Sequence, residues 1–144
     1  MSRLRQVQVE LTTLLSKITQ NDRKVFETIA IFCEENIYYS EQITAITMSR
    51  LGMTDPSQKI NFYYAIDSII KNVRGEYVQL FEHKLTQHFP RDMHTVGLRS
   101  TTLKKKYLIL FLSWEACLNI ATLRKMLEIY YKISHDVSPC LNPY

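Results

Sequence analysis

Apolar residues recur with helical spacing along nearly the whole chain, a pattern typical of an all-α protein. The apolar runs and the turn residues between them predict eight helices, over about residues 4–18, 22–36, 39–51, 58–74, 76–89, 92–98, 102–116 and 120–133. No alternating pattern of the kind that marks half-buried strands occurs. Eight helices with short connections predict one domain over residues 1–133, built from antiparallel pairs, with residues 134–144 as a loose C-terminal tail.

Capping and turn-forming residues set the expected helix ends. Asn21-Asp22 offers an N-cap for the second helix, and Gly52 ends the third. Pro90 is expected to end the fifth helix, because proline disfavours the helical conformation of the residue before it. Residues 92–98 are therefore predicted as a separate sixth helix.

Charge and cysteine usage narrow the partner and the environment. The 144 residues carry a formal net charge of +4, which favours an acidic partner such as a phosphopeptide, a nucleic acid or an anionic membrane. Cys33, Cys117 and Cys140 form no CxxC pair, so we interpret them as reduced thiols of a nuclear or cytosolic protein. The four histidines show no metal-ligand spacing, and the longest apolar run is too short to span a membrane. We expect no metal, cofactor or membrane.

The stretch from Phe62 to Tyr77, FYYAIDSIIKNVRGEY, carries the most information. On a helix of about 100° per residue, one side gathers a core face of Phe62, Ala65, Ile66, Ile69 and Val73. Tyr63, Asp67, Ile70 and Arg74 form the next stripe, at the border between core and solvent. A carboxylate between two apolar walls can hold a phenol, whose hydroxyl donates to Asp67. From these residues alone, an ordinary amphipathic helix with a solvated aspartate remains open.

The same stretch resembles the signature of the CTD-interacting domain, also called the RPR domain, in which D-S-I-hydrophobic-K-N-V precedes a tyrosine. The matching residues are Asp67, Ser68, Ile69, Lys71, Asn72, Val73 and Tyr77. Upstream, residues 18–23 (ITQNDR) and 33–36 (CEEN) resemble the second-helix region of the family, and Trp114 is a third match. The resemblance covers about residues 8–130. It departs at Lys24, where the family often has proline, after Trp114, and over residues 91–102.

The resemblance implies an all-α fold of eight helices in a right-handed superhelix, similar to VHS and ENTH domains. It also implies a nuclear, non-enzymatic domain that binds the heptad tail of RNA polymerase II, tyrosine-serine-proline-threonine-serine-proline-serine, phosphorylated on its first serine. The implied groove is formed by the second, fourth and seventh helices. The chain most resembles the cleavage-factor branch, which couples pre-mRNA 3′-end processing to termination.

The site residues follow from the motif positions together with the stripe. For the peptide we predict Tyr63, Tyr64, Asp67, Ser68, Ile70 and Ile109, and for the phosphate Arg23 and Lys106. The resemblance implies that the branch of the family that binds the phosphate directly has an arginine at the position where this chain has Ile109. Lys106 lies three residues earlier on the same helix face, and the start of the second helix offers Arg23 and amides that favour an anion. The prolines of the heptad favour binding as a compact turn. Asn72 is interpreted as structural.

Two alternatives to binding the polymerase tail stay open, a trafficking adaptor and an RNA-binding domain, and a third, catalysis, is disfavoured. A trafficking adaptor of the VHS or ENTH type shares the architecture, and Lys104-Lys105-Lys106 is a candidate lipid-facing patch. Weak RNA binding is compatible with the charge, although the tyrosines form no RNP-like pattern. Catalysis is disfavoured, because the chain lacks a Gly-rich phosphate loop and a GxSxG motif. No long heptad repeat occurs, so a monomer is expected.

Overall fold

The structure, a computed structural model, describes the backbone of residues 1–141 and the side chains of residues 1–135. Within residues 1–141 it contains seven α-helices, three short 3₁₀ helices and no strand. The α-helices are α1 (Arg3–Leu15), α2 (Arg23–Glu35), α3 (Ser40–Gly52), α4 (Lys59–Asn72), α5 (Glu76–Gly97), α6 (Thr101–Ser113) and α7 (Ile120–Leu141). The 3₁₀ helices are Ile37–Tyr39, Pro56–Gln58 and Trp114–Ala116. The all-α prediction is confirmed, with one helix fewer than predicted.

The difference in helix number arises at Pro90, which lies inside α5. The prediction that this proline separates two helices is wrong. Buried apolar residues continue on both sides of it at helical spacing: Leu85, Phe89, Met93 and Val96. An interior proline costs a helix about 3 kcal/mol, whereas fully burying one large apolar side chain contributes about 1.5–3 kcal/mol. Burial of Met93 and Val96 therefore offsets the local penalty.

The last helix is also longer than predicted. α7 continues to Leu141, so the predicted helix end at residue 133 is wrong, and the backbone of residues 134–141 belongs to the helix. The prediction of a loose tail assumed that the prolines of residues 134–144 would end the helix, whereas the backbone stays helical through Pro139. Residues 142–144 lie outside the described part of the chain.

The chain divides into two compact units, Met1–Phe81 and Glu82–Tyr144, and α5 begins in the first and continues into the second. In the first unit α2 packs on α4, and α1 packs on α2 and α3. Eight of the fourteen residues of α4 are buried, which makes α4 the centre of this core. The predicted cap of α2 is confirmed, because the Asp22 carboxylate accepts a hydrogen bond from the Lys24 amide at 3.0 Å.

The second unit is organised around aromatic residues of α5 and α6. Trp114 is fully buried, and its ring centroid lies 4.7 Å from that of Phe89. Tyr107 packs on the same phenylalanine, with 5.2 Å between ring centroids. Trp114, the third match to the family pattern, is therefore a core residue. Among the described residues no helix is both long and apolar enough to cross a membrane.

Candidate binding groove

The end of the sequence motif connects α4 with the start of α5 and with α2. The chain reverses after α4 through Arg74 and Gly75, which adopt φ values of 63° and 54°. This left-handed conformation suits glycine and costs other residues roughly 1–2 kcal/mol. The turn brings Tyr77 to α2, where its hydroxyl donates a 2.8 Å hydrogen bond to the carbonyl of Cys33. Tyr77 is fully buried, so the motif tyrosine holds the fold together.

Burial at this contact changes the acidity of the Cys33 thiol and of the Tyr77 hydroxyl. Desolvation raises the pKa of the Cys33 thiol to about 12, against a smaller lowering by its hydrogen bond with Tyr77. Desolvation and the proximity of Cys33 also raise the pKa of the Tyr77 hydroxyl. Both groups therefore stay neutral at physiological pH, as a buried pair without a counter-charge should.

An open groove of about 720 Å³ runs between α2 and α4, on the surface of the first unit. The lining residues come from two helical stripes and the adjoining turns: Asn21, Arg23, Phe26, Glu27, Ala30, Ile31, Glu34, Tyr64, Asp67, Ser68, Lys71, Asn72 and Val73. Their spacing of three and four residues puts each stripe on one face of its helix. The groove offers apolar contact surface alongside hydroxyl, amide and charged groups.

The α4 side of the groove is centred on Asp67. Its carboxylate lies 2.8 Å from the ammonium of Lys71, and 19% of its side chain is exposed. One turn earlier, Tyr64 packs against Phe26 of α2, with 6.5 Å between ring centroids. Partial burial, and then the negative charge of Asp67, raise the pKa of the Tyr64 phenol. A carboxylate with about four acceptor sites can accept a further donor while it holds Lys71.

Ser68 and Asn72 lie next to this carboxylate along the same helix. The Asn72 amide donates to the Ser68 hydroxyl at 3.2 Å, so the two side chains orient each other. Both line the groove.

Two of the predicted contact residues lie elsewhere. Tyr63 and Ile70 are fully buried in the core of the first unit, so the prediction that they stand at the border with solvent is wrong. The prediction assumed that α4 buries one narrow face, whereas the buried residues Ile60, Phe62, Tyr63, Ala65, Ile66, Ile69 and Ile70 cover a wide arc. The groove stripe is instead Tyr64, Asp67, Ser68 and Lys71, shifted around the helix.

The predicted phosphate contacts have different environments. Arg23 lies at the mouth of the groove, where its guanidinium pairs with Glu27 at 2.9 Å and 92% of its side chain is exposed. We predicted that the amides at the start of α2 favour an anion. Two of them, those of Lys24 and Val25, already donate hydrogen bonds to the Asp22 carboxylate. Lys106 and Ile109 lie on α6 of the second unit, and both side chains are exposed.

The second helix was expected to form part of the groove, but of its residues only Arg23 was predicted from the sequence. Phe26, Ile31 and Glu34 line the groove, and Ile31 is 57% exposed. A signal was present, because residues 23, 26, 27, 30, 31 and 34 repeat with helical spacing on one face. Phe26 and Ala30 of this face are themselves buried, so the face serves the core as well as the groove.

An open groove between two helices, with mixed polar and apolar lining, is typical of a helical interaction domain. Among the side chains of residues 1–135, no group of three or more His, Cys, Asp or Glu residues could hold a metal ion. The sequence profile of the CID domain matches residues 6–127, and the chain belongs to this family. The CID domain, also called the RPR domain, is a protein-interaction domain.

A sequence relative and a solved structure, both carrying the name Pcf11, support the assignment to the cleavage-factor branch of the family. The chain is 30% identical over 105 residues to Protein PCF11 of Saccharomyces cerevisiae. The alignment covers 73% of this chain but only 16% of that protein. The crystal structure of the RPR of Pcf11 superimposes with a TM-score of 0.76 at 26% identity, covering 87% of this chain and 98% of that one.

Proposed function

We propose that this domain binds the heptad-repeat tail of RNA polymerase II in the nucleus, and so couples transcription to mRNA 3′-end processing and termination. The observation that carries the proposal is the place of Asp67. The motif aspartate of a CID domain lines an open groove, partly exposed, beside the aromatic pair of Tyr64 and Phe26. A tyrosine that enters this groove finds an aromatic wall for its ring and a carboxylate acceptor for its hydroxyl.

Further contacts are proposed for individual residues that the sequence predicted. Tyr64 and Ser68 offer a ring and a hydroxyl to the peptide on α4, and the exposed Ile109 offers an apolar contact for a proline. Lys106 supplies a point charge for the phosphate of the first serine, without the bidentate grip of an arginine. Tyr63 and Ile70 act through the core, by fixing the face that α4 turns to the groove. The two prolines of each heptad favour a compact turn in the bound peptide.

The experiment is a titration of the domain with a two-repeat heptad peptide, unmodified and phosphorylated on its first serine. A hydrogen bond to a charged group contributes roughly 1.5–3 kcal/mol, so Asp67→Ala should weaken binding of both peptides by about tenfold or more. Replacing the peptide tyrosine by phenylalanine should lower the affinity for the wild-type domain by about the same factor. On the Asp67→Ala variant the same replacement should lower the affinity very little, because the hydrogen bond is already absent. Circular dichroism and thermal unfolding check that the variant is folded.

Two results would count against the proposal. One is failure of the wild-type domain to bind either peptide at millimolar concentration. The other is an Asp67→Ala variant that binds as tightly as the wild type, which would move the tyrosine contact elsewhere. Asn72→Ala is the matched control, because Asn72 lines the same groove but is proposed to be structural.

A further inference from the structure

The groove between α2 and α4 holds one carboxylate that no cation balances. Five charged side chains line it, two basic and three acidic. Arg23 pairs with Glu27 at 2.9 Å, and Lys71 pairs with Asp67 at 2.8 Å. Glu34 lines the same groove, is exposed, and forms no ion pair with any side chain of residues 1–135. The groove therefore carries a net negative charge, although the chain as a whole is basic.

The position of Glu34 along its helix adds to this imbalance. Glu34 and Glu35 are the last two residues of α2, and no basic residue stands in that turn. The C-terminal end of a helix carries a partial negative charge, which favours cations and disfavours carboxylates. A carboxylate here opposes the helix dipole, so a cation bound beside it gains from both the side chain and the helix end.

The surface next to Glu34 suits a long basic side chain. Ile31, one turn earlier on the same face of α2, is 57% exposed and also lines the groove. Lysine and arginine place their alkyl stems along apolar surface while the charged group reaches a polar partner. Ile31 can therefore cover the stem while Glu34 meets the charge.

We propose that Glu34 is a specificity-determining residue, which selects heptad-like peptides that carry a lysine or arginine near the docked tyrosine. This inference rests on the proposed function, because it assigns the charge of a residue in the same peptide. It places a preference for positive charge in the α2–α4 groove, distinct from the phosphate contact proposed for Lys106 on α6. A peptide with a basic side chain next to its tyrosine gains one ion pair with Glu34.

The test compares two-repeat heptad peptides in which lysine or glutamine replaces each serine in turn. The lysine peptide should bind the wild-type domain about two- to fivefold more tightly than its glutamine partner at one or more positions, the range of a rim ion pair. The difference should shrink as salt rises. Glu34→Gln should abolish the difference, and Glu34→Lys should transfer the preference to a peptide with glutamate at that position. Glu35→Gln is the matched control, since Glu35 neighbours Glu34 but does not line the groove.

The outcomes separate the two proposals. If the unsubstituted peptide binds but lysine and glutamine peptides bind the wild type equally at every position, the inference about Glu34 is wrong and the proposed function stands. A lysine advantage that survives in Glu34→Gln overturns it as well. If no heptad peptide binds the wild-type domain, both proposals fall together. Thermal unfolding shows whether each variant is folded, and Glu34→Gln should be at least as stable as the wild type because it removes a charge opposed to the helix dipole.

Discussion

Residues 1–81 carry nine basic and nine acidic side chains, whereas residues 82–144 carry nine basic and five acidic ones. The whole net charge of +4 therefore belongs to the second unit. The first unit buries twenty-one apolar residues, against ten among the described residues of the second. The groove that we propose for the peptide lies in the unit without net charge. Recognition there rests on shape, on individual hydrogen bonds and on the local charge of single side chains such as Glu34, whereas the net positive charge of the molecule belongs to the second unit.

The exposed apolar residues sharpen the contrast between the units. The described part of the second unit exposes seven large apolar side chains: Leu98, Leu108, Ile109, Leu112, Ile120, Leu127 and Tyr131. Three of them lie on α6, which buries only Tyr107 and Leu110 along its thirteen residues. The apolar residues of α4 are mostly buried and stabilise the fold, whereas Leu108, Ile109 and Leu112 of α6 are exposed and can contact a partner. The predictions below test this division.

The largest effect is expected for truncation in the core of the first unit. Ile66 is fully buried at the centre of α4, so Ile66→Ala should lower the free energy of unfolding by about 2–5 kcal/mol. Ile109 on α6 is 68% exposed, and Ile109→Ala should change the free energy of unfolding by less than about 0.5 kcal/mol. Chemical denaturation of both variants measures the difference. Equal losses in the free energy of unfolding would show that α4 does not stabilise the fold more than α6 does.

The sequence was informative where a local pattern and the tertiary structure agree. Helical spacing gave the all-α class, and Asp22 gave the start of α2, because capping depends on neighbouring residues only. The prediction of a helix end at Pro90 was wrong, because burial of the residues that follow outweighs the local penalty of an interior proline. The prediction that Tyr63 and Ile70 lie at the border with solvent was wrong for a related reason. The width of the buried face of a helix depends on how many elements surround it. Glu34 was visible in the sequence, but its lack of a partner is a property of the fold.

The next effect is a loss of stability at alkaline pH that originates in the first unit. The pKa of the Cys33 thiol is raised from 9.0 to about 12 in the folded protein. Between these pH values the thiol is ionised in the unfolded chain but protonated in the folded one. The contribution of Cys33 to the free energy of unfolding is therefore fully present below pH 9 and is lost as the pH rises toward 12. The slope from this group is at most about 1.4 kcal/mol per pH unit.

Denaturation at a series of pH values between 8 and 11 measures this slope. Cys33→Ala should be less stable than the wild type at pH 8, and its free energy of unfolding should fall less steeply above pH 9. Cys117→Ala is the matched control, because Cys117 lies in the second unit and is only partly buried. Parallel pH profiles for wild type and Cys33→Ala would show that the buried thiol does not contribute.

A smaller effect concerns the phosphate and the charge of the second unit. If Lys106 reads the phosphate as a point charge, Lys106→Ala should weaken the phosphorylated heptad peptide by roughly two- to fivefold and leave the unmodified peptide unchanged. Ile109→Arg should tighten the phosphorylated peptide more than the unmodified one, because arginine grips a phosphate bidentately. Both differences should fade with salt. An equal effect on the two peptides would remove Lys106 from the phosphate contact.

The smallest effect is expected at Arg23, the cation of the first unit that we also predicted for the phosphate. Its guanidinium is already paired with Glu27 at 2.9 Å, and 92% of its side chain is exposed to solvent that screens it. A phosphate that approached this end of α2 would meet the Asp22 and Glu27 carboxylates, and two of the amides there already donate to Asp22. Arg23→Ala should therefore change the affinity for the phosphorylated peptide less than Lys106→Ala does. Glu27→Gln releases Arg23 from its partner, and a gain of phosphate affinity in that variant alone would show that the ion pair, and not the position of Arg23, keeps this end of the groove from reading the phosphate.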